Sequence, residues 1–121
     1  MDDELDLLLG TVIDDLTKLM LVLDLHRVPG SARSPAEIAV GARVPPEQAA
    51  TALAHLAAAG LIERFRLGTG RLTMYGPSED EHIQAILGLL HDRYHSGPEA
   101  RAHVVRRVLK LGARPGEDPQ E

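Results

Sequence analysis

The chain has 121 residues, enough for one domain with a hydrophobic core. It contains no cysteine, which excludes disulfides, cysteine-based zinc sites and iron–sulfur clusters. With one Phe, two Tyr and no Trp, it is a poor candidate for binding single-stranded nucleic acid by aromatic stacking. The net charge of −5 is unevenly spread, because residues 1–25 carry −6 and residues 100–114 carry +5. These segments are either two solvated helix faces or partners that meet, within one chain or between two.

The first third of the chain shows a helical repeat of apolar residues from Leu5 to Leu23, which predicts one helix over Glu4–Arg27. The longest uninterrupted apolar run is Leu19–Leu23, so no membrane span is predicted. No basic segment precedes an apolar stretch at the start, so we expect no signal peptide and a cytoplasmic protein.

The middle of the chain carries clear helix signals. Ser34–Glu37 reads as a capping box that opens a short helix, with Ile38 and Ala39 facing inward. A third helix is predicted over Pro46–Ala59, because Pro favours the first helical position and Gly60 provides a stop.

A β-hairpin should follow this helix, with strands over Leu61–Leu67 and Arg71–Tyr75 and a glycine turn between them. Alternation places five side chains toward the core: Leu61, Phe65, Leu67, Leu72 and Met74.

Two further helices are predicted after the hairpin. The first begins at a capping box, Ser78–Glu81, and the second spans Glu99–Leu111. The first of them should bury Ile83, Ile86, Leu87, Leu90 and Tyr94. Residues 113–121 lack a period and are predicted to be disordered.

This order of elements resembles a winged helix-turn-helix domain of the MarR and ArsR types of bacterial regulator. The resemblance covers Leu16–Tyr75 and is carried by Ser34–Ala39, Pro46–Ala49, Leu53, Leu56 and Ala59–Arg64. It implies a mainly α fold with a small β-hairpin wing and extra N- and C-terminal helices. The expected units are an N-terminal helical extension, the winged helix, dimerisation helices and a tail, over residues 1–15, 16–77, 78–112 and 113–121.

The resemblance also implies a function, which is sequence-specific binding of double-stranded DNA by a homodimeric transcription regulator. The third helix would enter the major groove and the wing would contact the backbone or the minor groove. The residues expected to contact DNA are Gln48, Thr51, His55, Arg64, Arg66, Thr69 and Arg71. The apolar residues expected to bury in the dimer are Leu5, Leu8, Leu9 and Val12.

Two departures from the family pattern affect this interpretation. The third helix contains no Arg or Lys, and its Ala50, Ala54 and Ala58 leave a smooth face. An alternative is therefore a winged-helix adaptor that binds a protein of the transcription machinery and no DNA. Arg43 stands where the family usually has Gly, so either it adopts a left-handed backbone at roughly 1 kcal/mol or Gly41 takes part in the turn.

No catalytic or cofactor motif is present, and we predict no enzyme activity, no cofactor and no metal. His91 and His95 have the spacing to share an ion, but solvated helix flanks explain them more simply. Asp14–Asp15 and Glu79–Glu81 read as an exposed helix face and a helix start. The basic stripe at Arg106–Lys110 reads as a packed helix with solvated bases and not as a membrane-surface helix.

Overall fold

The computed structural model describes residues 2–28, 32–68 and 72–110. Within them the chain is mainly helical, with one antiparallel strand pair. The elements in chain order are α1 (Asp2–Leu8), α2 (Leu16–Arg27), α3 (Pro35–Ala42), α4 (Pro46–Ala58), β1 (Ile62–Leu67), β2 (Leu72–Pro77), α5 (Glu81–Tyr94) and α6 (Pro98–Val108).

The hydrophobic core is one cluster to which every one of these elements contributes. Helix α2 is its centre, because it contacts α3, α4, α5, α6 and β2. Five consecutive residues of α2, Leu21–Leu25, are buried, which suits a helix covered on most sides. The division of the chain at residues 15 and 77 stays a prediction, and residues 113–121 lie outside the described residues.

The predicted single helix over Glu4–Arg27 is wrong, because the chain turns between α1 and α2. Gly10 adopts a left-handed backbone with φ +96°, and its N–H donates to the Ile13 carbonyl at 2.9 Å. Asp15 then caps α2 by accepting the Lys18 N–H at 2.7 Å. The sequence did not predict this break because Leu9 and Ile13, at the two ends of the turn, are buried and continue the apolar repeat of the flanking helices.

The apolar side of α1 is covered by the same chain. Leu5 and Leu9 are buried in the common core, and α1 contacts α5. The expectation that Leu5 and Leu9 are buried in a dimer is therefore wrong. Leu8 and Val12 pack against the same core and are partly buried, so most of this face has its partner within the protomer.

The acidic first segment and the basic last segment meet within one chain. Arg107 of the basic segment donates to the Asp6 carbonyl at 3.0 Å, and its guanidinium lies 3.9 Å from the Asp6 carboxylate. That carboxylate also accepts from Arg93, which lies outside the basic segment, at 3.2 Å. Of the two alternatives left open by the charge pattern, the structure shows the intramolecular one at this contact. Ion pairs that are partly open to water, like these, contribute about 1 kcal/mol or less each.

The caps around α3 and α4 follow the sequence signals. Ser34 and Glu37 make the reciprocal capping box, and α4 ends before Gly60, whose φ is +85°. Arg43 adopts the left-handed conformation with φ 61°. Of the two alternatives for this turn, the structure therefore has the left-handed arginine. Its N–H donates to the Val40 carbonyl at 3.2 Å, which closes the end of α3.

The hairpin is buried at its base and exposed toward its tip. Leu61, Ile62 and Tyr75 are buried, whereas Phe65, Leu67 and Leu72 are 38%, 47% and 51% exposed. The expectation that Phe65, Leu67 and Leu72 face the core is wrong, while Met74 is partly buried. Strand alternation does put Phe65, Leu67 and Leu72 on one face, but the buried strand residues Ile62 and Tyr75 lie on the other face, with Arg64.

The Arg33–Tyr75 pair joins the base of the hairpin to the segment between α2 and α3. Arg33, between α2 and α3, exchanges two backbone hydrogen bonds with Tyr75, both of 2.9 Å. The Arg33 side chain donates to Asp24 of α2 at 2.9 Å, and Arg27 donates to the second oxygen of the same carboxylate. Asp24 is only 4% exposed, so it is a buried charge neutralised by two arginines.

The start of α5 differs from the predicted capping box. Asp80 and not Ser78 is the N-cap, since the Asp80 carboxylate accepts from the His82 and Ile83 N–H groups at 2.8 and 3.2 Å. The Ser78 hydroxyl instead accepts the Asp80 N–H at 3.1 Å and is buried beneath the turn. Asp80 is the cap and not Ser78 because it lies two residues closer to the helix, where its carboxylate reaches two donors.

The two last helices pack largely as the apolar spacing predicts, but Ile83 and Tyr94 of α5, which were also expected to be buried, are only partly buried. Ile86, Leu87 and Leu90 of α5 are buried, and Val104 and Val108 of α6 join the same core. Helix α6 ends at Val108, before the predicted end at Leu111, which lies outside the described residues.

Candidate DNA-binding surface

Helix α4 separates a buried face from an exposed face as its spacing predicts. Ala49, Leu53 and Leu56 are buried, and Gln48, Thr51 and His55 are exposed together. These last three lie three to four residues apart, so they follow one side of the helix. The structure thus brings together the residues expected to read bases.

Those exposed residues line a groove of about 470 Å³ between α4 and the start of α2. Its walls are Asp14, Asp15, Thr17, Lys18, Glu47, Gln48, Thr51, Ala52 and His55. The α2 side of this groove was absent from the sequence prediction. The only available signal was Asp15 as a helix cap, and it was hidden inside the apolar repeat.

The groove carries more negative than positive charge. Asp14, Asp15 and Glu47 line it, and Lys18 is the one Lys or Arg among its walls. The Lys18 ammonium lies 2.8 Å from an Asp14 oxygen, and this hydrogen bond lowers the pKa of the Asp14 carboxyl from its usual value. The three carboxylates that line the groove oppose the approach of a phosphate to this side of α4.

Two of the expected base-reading side chains already have partners within the chain. The Thr17 hydroxyl donates to the Gln48 amide oxygen at 3.3 Å, which leaves the amide nitrogen of Gln48 as its free donor. The Thr51 hydroxyl donates to the Glu47 carbonyl at 3.4 Å. Contact of either side chain with a base would have to replace or share these bonds.

The cations expected on the hairpin are accessible. Arg64 and Arg66 are exposed on one face of β1, opposite Tyr75 and Thr73 in the register. Among the described residues, neither guanidinium forms an ion pair with a carboxylate. Thr69 and Arg71 lie outside the described residues, so their expected roles stay predictions.

The alanine face proposed for a protein partner is only partly open. Ala50 and Ala58 are exposed, whereas Ala54 is half-buried. The face is smooth, but its middle position already packs against the protein.

A group of histidines lies at the opposite end of α2. The rings of His26 and His91 have centroids 5.1 Å apart, and those of His91 and His95 are 4.3 Å apart. Burial, and then the nearby His91, lower the pKa of His26. Nδ1 of His95 donates to the His91 carbonyl at 2.9 Å, which occupies one ligand atom. Within the part of the chain that the structure describes, no three His, Cys, Asp or Glu side chains are grouped to hold a metal.

Comparison with known proteins identifies no relative, since no family model, curated protein or solved structure matches this chain. Across residues 2–28, 32–68 and 72–110, no helix combines the length and apolar character needed to cross a membrane.

Proposed function

We propose that this chain is a cytoplasmic winged helix-turn-helix protein that binds double-stranded DNA as a homodimer and regulates transcription. Helices α3 and α4 are the helix-turn-helix pair, and the β1–β2 hairpin is the wing. The observation that carries the proposal is the pair of exposed guanidinium groups of Arg64 and Arg66 on a hairpin that directly follows α4. The Arg33–Tyr75 pair supports it by fastening the wing to the helices.

The distribution of charge indicates what the wing and α4 would each contribute to DNA binding. The wing supplies most of the affinity, because its cations are free to contact phosphates or the minor groove. Helix α4 has no Lys or Arg, so Gln48, Thr51 and His55 supply base contacts only. The carboxylates beside them keep that contribution small. Thr69 and Arg71 belong to the wing contact in this proposal.

A salt-titrated binding assay on genomic duplex fragments tests the proposal. For wild type we expect affinity that falls as salt rises, and for the Arg64→Ala, Arg66→Ala double variant a slope lower by about 2, near one per lost phosphate contact. Arg106→Ala on the exposed side of α6 is the matched control and should leave the slope unchanged. Wild type without salt-dependent affinity for any duplex would overturn the DNA proposal.

The homodimer needs a surface other than the buried side of α1. Leu7 and Leu16 remain exposed on α1 and α2, and Leu109 is exposed after the end of α6. Sedimentation velocity at micromolar concentration should show a dimer that Leu7→Glu or Leu16→Glu weakens. A monomer at every concentration would remove this part of the proposal.

A protein-binding adaptor is the second candidate, favoured by the three carboxylates that line the groove beside α4. The partner in transcription would contact α4 and the exposed Ala50 and Ala58. An Ala50→Glu variant should abolish that contact while circular dichroism shows an unchanged fold. This candidate predicts in addition that no duplex binds with a salt slope.

A further inference from the structure

The outer edge of strand β1 is open for pairing. In the described part of the chain the sheet consists of β1 and β2, so β1 has a hydrogen-bonded neighbour on one side only. Arg64, Phe65, Arg66 and Leu67 are all exposed. The register between the strands is one-to-one, without a bulge, and β1 contains no proline, so two common protections of an edge strand are missing.

The direction of the backbone groups on this edge follows from the Arg33–Tyr75 pair. Both the N–H and the C=O of Tyr75 bond to Arg33, so they point away from β1. Tyr75 lies opposite Arg64 in the register. When two opposite residues of an antiparallel pair do not hydrogen-bond to each other, the N–H and C=O groups of both point away from the partner strand. The N–H and C=O of Arg64, and those of Arg66 two residues later, therefore face the open edge.

The two faces of β1 differ in chemistry. Arg64 and Arg66 lie on one face. Phe65 and Leu67 lie on the other beside Met74 and Leu72, and Glu63 lies on this second face nearer the base of the hairpin. The charged face has no described ion-pair partner, and Phe65, Leu67 and Leu72 on the second face are about half exposed. A strand added at this edge would continue both faces.

We propose that the β1 edge binds an extended segment of another protein in which acidic and apolar residues alternate. The acidic side chains would lie beside Arg64 and Arg66, and the apolar side chains would extend the face of Phe65 and Leu67. Backbone hydrogen bonds to the outward groups of β1 supply the pairing, as in other additions of a strand to a sheet edge.

The arginines also determine which occupant fits. A second copy paired edge to edge by two-fold symmetry would set arginine against arginine on one face, and like charges directly opposite destabilise a sheet. Charge complementarity therefore selects a foreign acidic strand. Such a segment would cover the same cations that the proposed DNA contact uses, so it and DNA would compete. The edge site itself does not depend on DNA binding.

The test uses a labelled synthetic peptide of alternating Glu and Val, with binding to the full chain followed by fluorescence anisotropy. Wild type should bind it, and a peptide with Lys in place of Glu should bind at least roughly tenfold more weakly. The amides of Arg64 and Arg66 should gain protection from hydrogen exchange when the Glu–Val peptide is bound. No binding at millimolar peptide, or protection elsewhere only, would overturn the proposal.

Two matched variants separate edge pairing from simple charge attraction. Arg66→Thr and Arg66→Pro both remove the cation, but only Pro removes the outward N–H. The β1–β2 ladder is kept in both, because Arg66 lies at a position whose backbone groups point outward. We expect the Pro variant to bind the peptide roughly tenfold more weakly than the Thr variant. Equal binding would contradict a strand at this edge.

A modified peptide keeps the test independent of protein folding. N-methylation of the alternate residues whose N–H groups face β1 should abolish binding, whereas methylation of the other residues should have a small effect. A Phe65→Thr, Leu67→Thr variant should lose peptide affinity and keep duplex affinity. If wild type binds duplex DNA but not the peptide, the edge site alone is refuted. If wild type binds the peptide but no duplex, the DNA proposal alone is refuted.

Discussion

The two ends of α2 both carry carboxylates, but in different surroundings. At the start, Asp15 caps the helix and Asp14 pairs with Lys18, and both acids are exposed beside the groove. At the end, Asp24 is buried and holds Arg27 and Arg33. The exposed acids set the charge of a surface, whereas the buried acid joins the hairpin to the helices. The same residue type therefore contributes charge to an exposed surface at one end and joins buried elements at the other.

The largest expected effect comes from neutralising the buried end. Asp24→Asn should lower the free energy of unfolding by about 3–5 kcal/mol, because it leaves the largely buried Arg33 without its counter-charge. Asp14→Asn is the control at the exposed end and should cost less than about 1 kcal/mol. Urea denaturation measures both. Equal effects at the two ends would contradict the structural role assigned to the buried Asp24.

The backbone beside Asp24 gives the second test. A Cβ added at Gly41 would lie 2.9 Å from each Asp24 oxygen, so Gly41→Ala should destabilise by about 1–3 kcal/mol. Gly88 is a control within α5, where the added Cβ would lie 3.6 Å from the His26 ring in ordinary contact. Gly88→Ala should stabilise by about 0.5–1 kcal/mol, since Ala favours a helix. Thermal unfolding of the two variants should shift in opposite directions.

At the exposed end, Asp15 contributes to stability through the hydrogen bond by which it caps α2. Asp15→Ala should cost about 1 kcal/mol by leaving the Lys18 N–H without its acceptor. Asp15→Asn keeps an oxygen at the cap and should change stability little, while removing one charge beside the groove. If the Asn variant unfolds as easily as the Ala variant in urea, the charge and not the cap hydrogen bond stabilises this end.

The smallest effect concerns pH at the buried end. The pKa of His26 is lowered by burial and by His91 on α5, with Asp92 acting in the opposite direction. The unfolded chain therefore binds a proton more readily, so stability present above pH 6.5 is lost as the pH falls through the lower folded pKa. Melting temperatures between pH 8 and 5 should decline less for His26→Gln than for wild type. An identical decline would show that other groups are responsible.

Local signals made much of the fold predictable. The capping box of Ser34 and Glu37 and the stop at Gly60 depend on residues within one helical turn, so the sequence contains all the required information. The break at Gly10 was missed because buried residues on both sides of the turn continued the apolar period. Exposure of Phe65 was missed for another reason: alternation defines a face but does not say whether a helix covers it.

The same difference between local signals and long-range packing applies to the candidate site. Exposure of Gln48, Thr51 and His55 follows from spacing along one helix, and the structure confirms it. The carboxylates of Asp14 and Asp15 reach the same groove only through the packing of α2 against α4. That packing joins positions far apart in the sequence, and no local pattern reports it.

The pairing of Arg33 with Tyr75 also bears on how the chain assembles. The two residues are about forty positions apart, and closing such a loop costs more chain entropy than the local contacts of α3 with α4. We infer that the helix pair forms early and that the hairpin base is secured late, when Tyr75 reaches a segment already held beside α2. The carboxylate of Asp24 thus acts on a late folding step, while the outer part of the hairpin is free to vary without delaying it.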